Sequence, residues 1–281
     1  MQTRRSFIQH GTAVLTATTL LPSRLHAAPA NARLRIGARQ FGNDFVAAKR
    51  AGMDGLELGV GGPAEKLSIA DPATRQKLKD GMQSSGLATC ALSLDLLNGH
   101  PLFSDPQAPA WMEQSIAAAQ DLGASGMLVP FFGQAHLLNG TEWKKDALEA
   151  LVVRLKAIAP KAQAAGVCLG IECSLSAKQY NELLDRVGSD AVKAYYDIGN
   201  STGAGFDVPA DLRTLKGRLA MIHFKDGPNY LGAGKVKMEP VAEAIQAIGY
   251  QGWIVLETAN PSKNAETDCR RNAEYIRKLG L

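Results

Sequence analysis

Glu172, Asp197, His223 and Glu257 each follow a bulky apolar side chain directly, namely Ile171, Tyr196, Ile222 and Leu256. An ionised group set among such neighbours without a partner is costly. One cation shared by all four would compensate them together. Three carboxylates and one imidazole form a mostly hard donor set, which suits a single manganese ion, or magnesium or cobalt, in an octahedral site with room for substrate oxygens. Zinc held by thiolates fits less well. Cys168 and Cys173 are five positions apart on one expected strand and so face opposite sides, which leaves only Cys168 on the side of Glu172. These two cysteines, with Cys90 and Cys269, read as small buried hydrophobes, and their pairing stays open. A single acid at a strand exit is most often a helix cap or a solvated turn residue. Recurrence at four successive strand exits is what points to a site.

Such residues need strands that all end at one place. Short apolar runs recur from Leu34 onward, separated by stretches of helical periodicity. They predict eight strands, over 34–38, 55–60, 87–94, 126–132, 167–173, 192–197, 219–225 and 253–257. The intervening helices are punctuated. Asp71-Pro72 offers a cap followed by proline at the first helical position, and Ser176 with Gln179 has capping-box spacing. Gly52, Gly86, Gly123, Gly166 and Gly249 stand where left-handed helix ends are wanted. Continuous apolar strands such as the one starting at Gly126 imply burial on both faces, as in a parallel sheet covered by helices. Eight such units over residues 31–281 predict a single (β/α)8 TIM barrel, with the four candidate ligands on strands five to eight at its C-terminal rim. An open doubly wound sheet would carry a glycine-rich phosphate loop, and Gly59-Val60-Gly61-Gly62-Pro63 lacks that spacing.

The chain has 281 residues, 46% of them apolar and 21% charged, which excludes disordered and fibrous classes. Of its 31 basic and 27 acidic residues, Arg4, Arg5 and Arg24 fall within the first 30, a stretch without any acid. The remainder is nearly neutral, with 28 basic against 27 acidic residues, and offers no basic field for nucleic acid. The longest apolar run, 11–21, is too short and too rich in threonine for a membrane span, so no stable membrane anchor is expected. Residues 1–30 instead have the three regions of an export signal, and Thr3-Arg4-Arg5-Ser6-Phe7-Ile8 resembles the twin-arginine consensus. Removal after Ala27 or Ala30 would release the barrel into the periplasm.

Five segments together resemble the xylose isomerase-like TIM barrels, the sugar phosphate isomerase and epimerase superfamily. They are Gly55-Leu-Glu-Leu58, Gly170-Ile-Glu172, Tyr196-Asp197-Ile-Gly-Asn200, Ile222-His223-Phe-Lys225-Asp226 and Gly249-Tyr-Gln-Gly-Trp-Ile-Val-Leu-Glu257. The resemblance implies that Glu172, Asp197, His223 and Glu257 hold the metal, and that Glu172 and Glu257 also form the acid/base pair. A metal chelating two neighbouring oxygens of a keto sugar would stabilise an enediolate, and glutamates three strands apart on the ring could exchange protons with opposite faces of one carbon. Two positions depart from the ketose 3-epimerase pattern, Asn200 standing for a histidine and Asn229 for an arginine. Both changes fall on substrate contacts.

Further substrate contacts are expected from Glu57, His100, His136, Asn200, Lys225 and Asp226, whereas Trp111, Phe131 and Phe132 read as core. The function that follows is metal-dependent isomerisation or epimerisation of a small, nonphosphorylated sugar. The strand-end loops lack the arginine cluster or glycine-rich cradle that a phosphate dianion requires. Two alternatives are a 3-keto-glycoside lyase or sugar dehydratase using the same proton removal, and a non-catalytic periplasmic sugar-binding barrel. An endonuclease-like phosphodiesterase would need a histidine-rich zinc site, and beyond residue 30 the chain has only His100, His136 and His223. Replacing Arg4 and Arg5 together by lysine should strand the protein in the cytoplasm. Fractionation followed by immunoblotting would show this, and an unchanged periplasmic yield would remove the twin-arginine reading.

Overall fold

The computed structural model describes residues 33–281, so the expected export signal lies outside the described residues. Eight parallel strands close into a barrel in simple sequential order. They are β1 (Arg35–Ala38), β2 (Gly55–Gly59), β3 (Ala88–Ser93), β4 (Gly126–Pro130), β5 (Cys168–Glu172), β6 (Val192–Asp197), β7 (Leu219–Phe224) and β8 (Trp253–Leu256). The predicted eight-stranded barrel is thus the observed fold, each strand ending within two residues of its expected end. Outside the barrel, Leu138–Asn139 and Glu142–Trp143 pair as a small antiparallel hairpin that the apolar pattern does not announce.

The helices are α1 (Phe45–Arg50), α2 (Pro72–Ser85), α3 (Ala108–Leu122), α4 (Lys145–Ala165), α5 (Ala177–Val187), α6 (Ile198–Gly203), α7 (Val208–Leu215), α8 (Met238–Ala247) and α9 (Ala265–Lys278). Their ends follow the sequence signals. Asp71 caps α2 by accepting from the Thr74 N–H, and Ser176 and Gln179 form the reciprocal box that opens α5. Gly123 and Gly166 adopt left-handed conformations that close α3 and α4 and turn the chain into the next strand. The short α6 was not expected; it begins at Asp197, whose carboxylate accepts from the Asn200 N–H. No helix among the described residues is long and apolar enough to cross a membrane.

Strand alternation divides the barrel into an inside and an outside. Outward side chains such as Leu56, Ile171 and Ile222 pack under the helices in the large core. A separate cluster fills the lower interior, including Tyr195, Met221, Trp253 and Val255. Glycines on other strands make room for these large groups. A Cβ on Gly55 would lie 2.8 Å from both the Ala88 carbonyl oxygen and the Trp253 ring, and one on Gly170 would lie 3.0 Å from Tyr195 Cβ. The filled floor leaves the upper layer to polar groups. Gly55→Ala should therefore cost about 1–3 kcal/mol, because backbone of the neighbouring strand has to move. Gly59→Ala, with nothing within 4 Å of the added carbon, should be near neutral in the same denaturant titration.

Candidate active site

Register brings the four expected ligands together at the C-terminal rim. Glu172 and Asp197 end β5 and β6, Asp197 is paired directly with His223 of β7, and Glu257 follows β8 with its N–H donated to the Phe224 carbonyl at 3.1 Å. One ligand atom from each residue lies within 4.8 Å of all the others. His223 Nδ1 is 2.9 Å from Glu172 Oε1, 3.4 Å from Glu257 Oε2 and 3.8 Å from Asp197 Oδ2. Lys225 Nζ lies between Asp197 Oδ2 at 2.9 Å and Glu257 Oε2 at 2.6 Å. Arg39, one residue past β1, donates to Glu257 Oε1 at 2.6 Å and to Asp95 Oδ2 at 2.7 Å. Below the imidazole, Glu57 Oε2 stands 3.2 Å from His223 Nε2 and also accepts the Tyr195 hydroxyl proton.

The remaining expected substrate residues are spread more widely. Lys225 is in the cluster, and Glu57 is at its floor, 2% exposed. His100 is paired with Asp105 at 2.8 Å and set edge-on to Trp111. His136 holds the Leu138 carbonyl at 3.1 Å and lines a cleft of about 550 Å³ with Trp143, Lys178 and Phe206. Asn200 meets the site through its backbone, donating to Asp197 Oδ1 at 2.7 Å. Asp226 accepts the N–H groups of Gly232, Gly234 and Val236, which commits both its oxygens to the loop before α8. Trp111 and Phe131 are core, and all four cysteines are free. Arg39, Asp95 and Tyr195 were not expected. Applying the strand-exit rule to β1 and β3 would have found the first two, and stepping back two residues from Asp197 would have found the third.

Residues 45–279 match the xylose isomerase-like TIM barrel family. The chain belongs to that family. It is 30% identical over 197 residues, 67% of this chain and 71% of the relative, to a 2-epi-5-epi-valiolone 7-phosphate 2-epimerase of Actinoplanes sp.. Among solved structures it resembles an L-ribulose 3-epimerase, with TM-score 0.72, 21% identity and coverage of 88% of this chain and 94% of that one. It also resembles a 3-keto-D-glucoside 4-epimerase from E. coli, with TM-score 0.71, 16% identity and coverage of 88% and 100%.

In this member of the xylose isomerase-like family the electrostatics of the rim fit a divalent cation. Five carboxylates, from Glu57, Asp95, Glu172, Asp197 and Glu257, face two permanent cations, Arg39 and Lys225. Asp197 Oδ2 is buried and lacks a hydrogen bond of acceptable geometry, although the Lys225 ammonium is close. The surplus negative charge and the orphaned oxygen both suit an ion held by the hard donor set of Glu172, Asp197, His223 and Glu257. Burial pushes the Glu172 carboxyl up to about 7; His223 opposes the shift, and Glu257 and Asp197 add to it. Burial acts on Glu257 in the same sense, but His223, Lys225 and Arg39 outweigh it and hold that carboxyl at about 2. Burial lowers His223, yet Glu57, Glu172 and Glu257 together raise it well above the ordinary imidazole range.

These shifts give the metal-free protein a pH dependence of definite sign. Above its ordinary value of 4.5 and up to about 7, folded Glu172 keeps a proton that the unfolded chain releases, so stability falls as pH rises. His223, which holds its proton beyond 6.5, continues the fall above neutrality. Glu257 adds no slope there, because its lowered value contributes fully once the pH exceeds 4.5. The melting temperature of chelator-treated protein should therefore drop between about pH 5 and pH 8, with Glu172 contributing up to about 3 kcal/mol. Manganese should flatten or reverse that slope by binding the deprotonated set. A flat profile without metal, or no response to the ion, would contradict this account.

Proposed function

We propose that the protein is a divalent-metal-dependent sugar epimerase or isomerase that removes a proton beside a carbonyl and passes through an enediolate. The observation that carries this reading is the convergence of two glutamates, from the nonadjacent strands β5 and β8, on one cluster of donor atoms within 4.8 Å. Glu172, Asp197, His223 and Glu257 would hold the ion, manganese by preference, which when bound supplies Lewis-acid polarisation of neighbouring sugar oxygens. In the metal-free protein the two glutamates differ in acidity, about 7 for Glu172 and about 2 for Glu257, so Glu172 is the one that would give up a proton as the ion binds. Lys225 sets an ammonium beside Asp197 and Glu257, where it can oppose negative charge developing on substrate oxygen. Arg39 fixes the orientation of Glu257 by holding Oε1.

The substrate in this reading is a nonphosphorylated keto sugar or keto-glycoside. The Actinoplanes relative is named for a phosphorylated compound, but the cations at this rim are already engaged. Arg39 faces Glu57, Asp95 and Glu257, and Lys225 faces Asp197 and Glu257. The neighbouring cleft is lined by Lys178 together with Glu142 and Glu182. The rim itself offers no uncommitted positive charge for a dianion. Residues 1–30 as a twin-arginine signal, with 31–281 as the mature barrel, belong to the same proposal, since export would separate the enzyme from cytoplasmic sugar phosphates.

Incubation with keto sugars, keto-glycosides and sugar phosphates in deuterated water with manganese, followed by NMR, tests the reading. The expected result is deuterium at one carbon with inversion or isomerisation, and the highest specificity constant on a nonphosphorylated substrate. Products lacking a leaving group would mean elimination instead, and a leading sugar phosphate would sink the substrate assignment. Glu172→Gln and Glu257→Gln should each lower exchange by at least about 100-fold while sugar binding changes much less, because an amide cannot take up a proton near neutral pH. Near-normal exchange in either variant would remove that residue from the acid/base pair.

A further inference from the structure

Glu57 lies on the far side of the His223 ring from the acidic cluster. Nδ1 faces Glu172 at 2.9 Å, and Nε2 faces Glu57 at 3.2 Å. The ring is fully buried, so each nitrogen must find its partner within the protein. Glu57 is the partner found at Nε2. The carboxylate is in turn set by its own neighbours. Tyr195 donates its hydroxyl proton to the same Oε2, and Arg39 Nε lies 3.6 Å from Oε1. The Tyr195 hydroxyl and His223 Nε2 both face Oε2, and with the Arg39 charge nearby they favour the ionised, accepting form, while Oε1 itself has no hydrogen bond. The Tyr195 ring also packs on the imidazole, with centroids 4.4 Å apart and planes inclined at 47°.

Two irregularities in the barrel coincide with this pair. Strand register shifts between Leu56 and Glu57 against β3, and between Ala194 and Tyr195 against β7. Such bulges re-aim the side chain that follows them. The extra residues are Cys90 of β3 and Ala220 of β7, so each irregularity lies on the strand paired beside Glu57 or Tyr195, and Gly170 leaves the space that Tyr195 occupies.

We infer that Glu57 is a positioning residue for His223 and not a substrate contact: it keeps the proton on Nε2, so that the Nδ1 lone pair is presented to the cation proposed above. At 2% exposure and below the imidazole, Glu57 is screened from a sugar at the barrel mouth. Tyr195 supports it from the floor. A carboxylate behind a ligating histidine fixes the tautomer and ring orientation, and its loss typically weakens metal affinity by roughly 10–100-fold.

The test uses Glu57→Gln and Tyr195→Phe in the mature protein, with manganese affinity measured by calorimetry and the imidazole nitrogens by NMR of the magnesium-loaded form. Expected are an Nε2-protonated His223 in wild type and a loss of manganese affinity of roughly 10–100-fold in Glu57→Gln. Tyr195→Phe should show a smaller loss in the same direction. At saturating manganese Glu57→Gln should recover most of its kcat with the sugar KM little changed, whereas a substrate contact would raise KM and leave metal affinity alone. Unchanged manganese affinity in Glu57→Gln, or a proton on Nδ1 in the loaded wild type, would overturn the inference. Failure of wild type to take up any ion would instead defeat the metal reading. In that case the metal-free spectrum decides: Glu57→Gln must move the Nε2 resonance more than Nδ1, and equal or absent shifts overturn the positioning role.

Discussion

The crowding of three carboxylates around one buried imidazole governs the upper half of this barrel. Glu172, Asp197 and His223 are almost completely withdrawn from water, and the rim holds more negative than positive side chains. Like charges in a poorly solvated space either take up protons or recruit cations. Both responses are present. Glu172 is pushed toward its neutral form, while Lys225 and Arg39 reach into the cluster and are held there by two or three acids each. The metal-free fold gives up stability to keep these acidic groups close together.

The same constraint explains why the rim is built from strand ends. A carboxylate on a flexible loop could relax away from its neighbours, whereas Glu172 is held by pairing with Pro130 of β4 and Asp197 by pairing with His223 of β7. Asp197 combines two duties, capping α6 with Oδ1 while Oδ2 faces the cluster. Helix cap and candidate ligand are therefore not competing interpretations of an acid at a strand exit.

Much of this was legible before the structure. Hydrophobic runs of strand length and the glycines closing several helices revealed eight units, and polar residues placed directly after Ile171, Tyr196, Ile222 and Leu256 marked the rim. Arg39 and Asp95 escaped notice because each looks like an ordinary charged residue in a loop, and only closure of the barrel sets β1 beside β8. The orientation of Glu57 was hidden for another reason: a register shift leaves no mark on composition or periodicity, yet it decides which neighbour the carboxylate meets. Asp226 sits within a recognisable His-x-Lys-Asp run, but its contacts are backbone N–H groups six to ten residues further on. No local pattern reports a loop folding back on its own start.

The glycines of the inner strands have an evolutionary consequence. Gly55 with Trp253 and Gly170 with Tyr195 are complementary volumes contributed by different strands. Growth of one member is costly unless the other shrinks, so single substitutions are penalised and the floor changes most easily by coordinated steps. The loops above the rim carry no such reciprocal obligation. Variation can accumulate in them while the acidic cluster stays put, which makes the barrel a chassis whose mouth is free to drift and whose rim is not.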